Sequence, residues 1–163
     1  MHYLQLLNMS KVLFIDIDGT LVTYSNVLLE STKLAIQKVR DNGHLVYLCT
    51  GRSEAEIQQD ILDMGFDGLI GGNGSYVKQG QTVLLHQHLT YQDCKKVVDW
   101  CREREIEFFL ECNSGLYASE QFDPKALPAI LEYLDLDQEK AKDMSVSKAL
   151  PDLQLGLKGD QLI

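Results

Sequence analysis

The chain has 163 residues, 45% of them apolar, and a formal net charge of −9, which suits one globular domain or one and a half. With no basic stripe the composition argues against nucleic acid as a partner, and an acidic membrane surface would repel it. No apolar run approaches the roughly 20 residues a membrane span needs and no signal peptide is recognisable, so the expected location is cytoplasmic, with no membrane partner.

Residues 1–10 read as an N-terminal extension, a short apolar lead expected to fray. Val12-Leu13-Phe14-Ile15 then has strand length and ends in Asp16-Ile17-Asp18-Gly19-Thr20. Alternate residues of a strand share a face, so Asp16 and Asp18 are expected to leave the strand end toward one spot. Apolar residues on both faces predict a central parallel strand, whose carboxyl end is where open α/β sheets place ligands. Two carboxylates there repel unless a cation or a shared proton intervenes, a reason to expect Mg²⁺ with its preference for oxygen ligands. An Asp-rich turn with no chemistry would share the same residue types.

A helix is expected over residues 31–42, closed by Gly43, followed by a second strand over residues 44–49 that ends in Thr50-Gly51-Arg52-Ser53. Ser53 with Glu56 fits a capping box for a helix reaching Met64, with Gly65 just past its end. A hydroxyl, a glycine and a fresh helix N-terminus after a strand could hold an anion, although ordinary strand-to-helix punctuation reads the same way. A third strand is expected over residues 68–71. This β-α-β-α-β alternation predicts a parallel sheet with right-handed crossovers.

Beyond it, residues 76–87 predict a hairpin, and Thr90 with Asp93 caps a helix through Val97, Val98 and Cys101. Residues 106–118 predict a second hairpin turning at Asn113-Ser114-Gly115. Asp123-Pro124 signals a helix start, with Pro128 placing the regular helix from there to Leu134. The charged stretch 135–143 reads as a solvated helix or loop. Cys49, Cys94, Cys101 and Cys112 show no paired spacing and read as reduced thiols, with Cys49 expected to be a buried strand cysteine. His86 and His88 read as an exposed hairpin face. Tyr76, Trp100, Phe108 and Tyr117 read as core.

Asp16-Ile17-Asp18-Gly19-Thr20-Leu21 resembles the first motif of the haloacid dehalogenase (HAD) superfamily, and Thr50-Gly51-Arg52 resembles the second. Gly71-Gly72-Asn73-Gly74-Ser75-Tyr76 is similar to the segment after the third core strand in the Cof-type sugar-phosphatase branch. The resemblance implies a doubly wound, Rossmann-like α/β core over residues 11–75 and an α/β cap over residues 76–163, inserted after the third core strand. It further implies Mg-dependent hydrolysis of phosphomonoesters of small metabolites such as sugar phosphates. Asp16 would be the nucleophile forming a phosphoaspartyl intermediate and Asp18 the general acid and base. Thr50, Gly51 and Arg52 would hold the phosphoryl group, and Asn73 would face substrate. Asp16, with the backbone carbonyl of Asp18, would hold the Mg²⁺.

The roles are chemically coherent, since phosphoryl transfer asks for positioning and charge neutralisation. A carboxylate is a competent nucleophile, and a second one can serve leaving group and water in turn. Full-length relatives of this type return to the core with a lysine motif and an acidic Gly-Asp motif. Lys148 and Gly159-Asp160 do not match these, because no helix and strand of the required lengths fit between them. The core is therefore read as C-terminally incomplete, leaving an edge beside the first strand that invites self-association. The alternative reading is a catalytically impaired remnant acting as a ligand-binding or assembly subunit.

Overall fold

The computed structural model describes residues 10–23, 26–133, 145–150 and 153–155. It divides into two compact units, Met1–Ser53 with Ile57–Gln87, and Glu54–Glu56 with His88–Ile163.

The first unit is a five-stranded sheet with its strands side by side in sequence order: β1 (Val12–Ile15), β2 (Leu45–Cys49), β3 (Gly68–Gly71), β4 (Tyr76–Gln79) and β5 (Thr82–His86). The first three are parallel, and β4 and β5 follow antiparallel as a hairpin. The α/β class with a parallel-dominated sheet is therefore as expected. The hairpin, expected to begin a cap at residue 76, lies in the same sheet as β1, so the division between units falls after Gln87.

Crossovers α1 (Glu30–Asp41) and α2 (Gln59–Leu62) lie over one face of this sheet. Their Ile36, Val39, Ile61 and Leu62 pack with Leu13, Ile15, Val46, Leu48 and Leu69, the inward residues of alternating strands. Each fully buried Leu, Ile or Val stabilises the unit by about 1.5–3 kcal/mol. Glu30 in the first turn of α1 and Lys38 and Arg40 in its last turn complement the helix dipole. Gly43 closes α1 with φ +79°, its N–H donating to the Arg40 carbonyl. Gly68 fixes the strand spacing: a Cβ there would lie 2.3 Å from the Tyr47 ring and 2.4 Å from the Lys78 carbonyl oxygen.

Two consecutive right-handed crossovers stepping the same way put both helices on the same side. The opposite face consequently stays open among the described residues, with Val12 49% and Phe14 60% exposed. Among the described residues strand β1 pairs only with β2 and forms the sheet edge, matching the edge expected of an incomplete core although its apolar faces alone predicted a central strand. Cys49, expected to be buried, points to the open face and is exposed.

The single helix expected from Ser53 to Met64 is not continuous. Glu54–Glu56 is a single 3-10 turn, and α2 begins only at Gln59 with no side-chain cap. Ser53 is buried, and the Glu54 N–H donates to Asn113 Oδ1 at 3.0 Å. A tertiary bond thus takes one of the N–H groups at the start of the expected helix.

The second unit holds a three-stranded sheet of β6 (Phe109–Cys112), β7 (Gly115–Ala118) and β8 (Leu153–Leu155), with β6 antiparallel and β8 parallel to β7. Helix α3 (Tyr91–Glu103) starts at Thr90, whose hydroxyl accepts the Asp93 N–H as expected. Helix α4 (Phe122–Tyr133) begins six residues before Pro128 and keeps that proline inside it. Its Phe122, Ala126, Leu127 and Ile130 pack with Phe109, Ala118 and Leu153, and with Val146 of α5 (Val146–Ala149). Tyr76 and Tyr117 are buried as expected, whereas Trp100 is half exposed under the Arg104 guanidinium, 4.4 Å from its ring centre. Lys148 lies within α5. The expected helix or loop over 135–143 and the pair Gly159-Asp160 fall outside the described residues.

Candidate active site

The carboxyl ends of β1, β2 and β3 carry the sequence-predicted residues. Strand β1 runs in register with β2, Ile15 opposite Leu48, so Asp16 and Thr50 leave adjacent parallel strands at the same end of the sheet. After Asp16 the chain turns tightly, the Ile17 carbonyl accepting N–H groups from Thr20, Leu21 and Val22, and Gly19 takes φ +74°. Ile17 is driven wholly into the core, which sends its two neighbours outward: Asp16 and Asp18 are both exposed and not covered by apolar atoms.

Thr50 is buried, its N–H donating to the Ile70 carbonyl and its hydroxyl accepting the Arg52 N–H at 3.2 Å. A hydroxyl that accepts there still carries a proton to donate. Gly72 closes the link between β2 and β3 by donating its N–H to the Arg52 carbonyl at 2.8 Å. Asn73 takes the left-handed conformation, φ +54°, and lays its carboxamide over Gly51, 3.1 Å from where a Cβ would stand. Gly51 is thus the residue that admits Asn73, a physical reason for glycine between Thr50 and Arg52.

Arg52 does something its sequence position did not announce. Its guanidinium grips the Asp18 carboxylate with two bonds, Nη2 to Oδ1 at 2.6 Å and Nε to Oδ2 at 3.1 Å. Nη2 also donates to Asn26 Oδ1 at 3.3 Å. Asn26 belongs to the loop after Asp18 and was not singled out from the sequence. Its one visible signal is its residue type, since asparagine tolerates the left-handed backbone found there, φ +57°.

These positions come together in one unit: Asp18, Asn26, Arg52 and Asn73 are joined directly or through one neighbour, with Asp16 and Thr50 at the adjoining strand ends. The anion site expected at a helix N-terminus after Thr50 lacks its helix, because α2 is four residues long and starts at Gln59. The polar groups present at that turn are the Thr50 hydroxyl and the backbone. Among the described residues no three His, Cys, Asp or Glu side chains cluster as a metal cage. His86 lies edge-on to Tyr76, at 5.2 Å between ring centres.

The sequence profile of the haloacid dehalogenase-like hydrolases matches residues 13–155. Among curated proteins, the chain is similar to 5-amino-6-(5-phospho-D-ribitylamino)uracil phosphatase YwtE of Bacillus subtilis (strain 168). The two are 29% identical over 99 residues, covering 60% of this chain and 34% of that protein. Among solved structures it is similar to the HAD-superfamily phosphatase BT1666 of Bacteroides thetaiotaomicron, with a TM-score of 0.62, 26% identity, and coverage of 85% of this chain and 54% of that one. The fold also matches the HAD subclass IIB sugar phosphatase BT4131, with a TM-score of 0.61, 22% identity, and coverage of 83% and 55%. The matched stretch thus spans about a third of the curated relative and about half of each solved chain.

Proposed function

The chain belongs to the haloacid dehalogenase-like hydrolases, and from that premise we propose that its first unit carries a phosphatase site for small phosphorylated metabolites. The observation that supports this reading above the rest is the pair of exposed carboxylates, Asp16 and Asp18, at the carboxyl end of β1 beside Thr50. The relatives named as phosphatases, one of them a sugar phosphatase, favour phosphomonoesters of small metabolites as substrates.

In this reading an Asp16 carboxylate oxygen attacks phosphorus, and the bond to the ester oxygen breaks with its electron pair on that oxygen. Asp18 supplies the proton the departing alkoxide needs and afterwards takes one from the water that attacks phosphorus, the bond from phosphorus to the Asp16 oxygen breaking to release phosphate and restore the carboxylate. The Thr50 hydroxyl and the Arg52 turn hold phosphoryl oxygens, and Asn73 faces the remainder of the substrate. Mg²⁺ suits this donor set, because it is commonly held by one or two protein oxygens with water and phosphate completing its shell. The Asp16 carboxylate and the Asp18 backbone carbonyl would hold it. When bound, it neutralises charge between the carboxylate and the incoming phosphate. The four thiols are free, in keeping with a reducing, cytoplasmic setting.

The test is hydrolysis of p-nitrophenyl phosphate with Mg²⁺. Steady turnover that disappears in Asp16→Asn supports the reading, and absence of turnover by the parent chain contradicts it.

A second reading has its own observation. The edge position of β1 among the described residues and the exposed Val12 and Phe14 favour self-association through this edge, with a second copy as partner. Light scattering distinguishes a dimer dispersed by Phe14→Glu from a chain that is monomeric throughout.

A further inference from the structure

A carboxylate that serves a leaving group and then a water must be held in one orientation through both steps. Asp18 is more than half exposed, so packing does not supply that orientation. The Arg52 fork does. Two of its N–H groups meet the two Asp18 oxygens, a planar match that a lysine ammonium cannot make.

Arg52 is itself anchored through both backbone and side chain. Its backbone N–H donates to Thr50 Oγ1, its carbonyl accepts the Gly72 N–H, and its Nη2 donates to Asn26 Oδ1. Asn26 is set by its own turn: its N–H donates to the Thr23 carbonyl at 2.8 Å, and the Val27 N–H donates to Thr23 Oγ1 at 3.2 Å. Nη2 directs its two protons to Asp18 and Asn26, which fixes the rotation of the guanidinium plane. An ionised carboxylate has about four lone-pair positions, of which this grip occupies two. The clamp therefore orients Asp18 without closing it to a substrate.

We propose that Arg52 and Asn26 are positioning residues for Asp18: Asn26 sets the rotation of the Arg52 fork, and the fork sets the orientation of the Asp18 carboxylate. This rests on the phosphatase reading above and revises the part of it that made Arg52 a phosphoryl contact. A phosphoryl contact acts mainly through charge and binding. A positioning residue acts on the steps that Asp18 performs.

The experiment compares the parent chain with Arg52→Lys and Asn26→Ala on two esters with Mg²⁺ present. One is p-nitrophenyl phosphate, whose leaving group needs no proton, and the other is a simple alkyl phosphate, whose leaving group needs one. General acid-base catalysis contributes about 10²- to 10⁴-fold, so partial misorientation in Arg52→Lys should lower kcat on the alkyl ester about 10- to 100-fold. Asn26→Ala should lower it several-fold, with KM within about twofold of the parent in both variants. On p-nitrophenyl phosphate both variants should release the first equivalent of p-nitrophenolate at the parent rate and then slow, because water attack on the phosphoenzyme still needs Asp18.

A raised KM with unchanged kcat in Arg52→Lys would make Arg52 a substrate contact and overturn the proposal. Equal losses on both esters with no first-turnover burst would make both residues merely structural and overturn it too. If the parent hydrolyses neither ester, the phosphatase reading fails and this proposal falls with it; turnover by the parent with the wrong pattern in the variants removes this proposal alone.

Discussion

Each unit contains a cluster of polar side chains, and the two clusters are built to opposite ends. In the second unit Glu107 accepts from the Ser119 hydroxyl at 2.6 Å and from the Lys125 ammonium at 2.8 Å, while Ser119 also accepts the Phe108 N–H. Ser119 is buried and these groups satisfy one another, joining the start of β6 to the start of α4. In the first unit Asp16, Asp18 and Asn73 stand exposed at strand ends, held by backbone turns and by one arginine. Charge and hydrogen bonding are present in both. Polar groups left facing outward on a rigid base mark a candidate site, and polar groups that consume one another mark a structural joint.

The largest effect that bears on this contrast is expected from Asp16→Asn. It should lower phosphatase turnover by about a thousandfold or more while leaving the thermal midpoint within error, because the side chain is exposed. Loss of folding in this variant, seen by circular dichroism, would move Asp16 to the structural side of the comparison. Next in size is Gly68→Ala. With the Tyr47 ring and the Lys78 carbonyl both inside the space of a Cβ, the sheet must open, and urea unfolding should show a loss of about 1–3 kcal/mol. A variant as stable as the parent would mean that β2, β3 and β4 do not approach as described.

Ser119→Ala should cost about 1–3 kcal/mol, since the half-buried Phe108 N–H and the Glu107 carboxylate each lose a partner, with turnover unchanged. The same joint has a pH signature. The Lys125 and Ser119 hydrogen bonds hold the Glu107 carboxyl below its ordinary range, so its contribution is present above that range and is lost as acid protonates it. Melting curves between pH 7 and pH 3 should therefore fall less steeply for Glu107→Gln than for the parent.

Glu111 has the opposite sign. Partial burial, with the nearby Glu56 carboxylate, raises its pKa, so ionising it costs stability as pH rises through the carboxylate range. Glu111→Gln should give a small rise in melting temperature at pH 7 and none near pH 3. A fall at pH 7 would contradict this assignment.

Much of this contrast was legible beforehand, and the residues show why. Asp16, Asp18, Thr50 and Gly51 announced themselves because strand periodicity and turn glycines are local properties, readable over a few positions. Thr90 and Asp93 were readable for the same reason. What failed depended on distant partners. Ser53 and Glu56 predict one helix to Met64, yet the stretch is a 3-10 turn and a short helix from Gln59, with the Glu54 N–H held by the distant Asn113 carboxamide. Cys49 and Phe14 look like core residues in sequence, but both crossover helices fall on the other face. The grip of Arg52 on Asp18 and Asn26 was beyond reach, since it joins residues 34 and 26 positions apart through side-chain geometry alone.

The account rests on phosphorus passing through a covalent ester of the β1-end carboxylate. Acid quenching during turnover of a ³²P-labelled phosphomonoester, followed by peptide mapping, tests this directly. Label should appear on the peptide containing Asp16, be released by hydroxylamine as acyl phosphates are, and be lost in Asp16→Asn. Turnover with no labelled protein, or label that survives in Asp16→Asn, would contradict it.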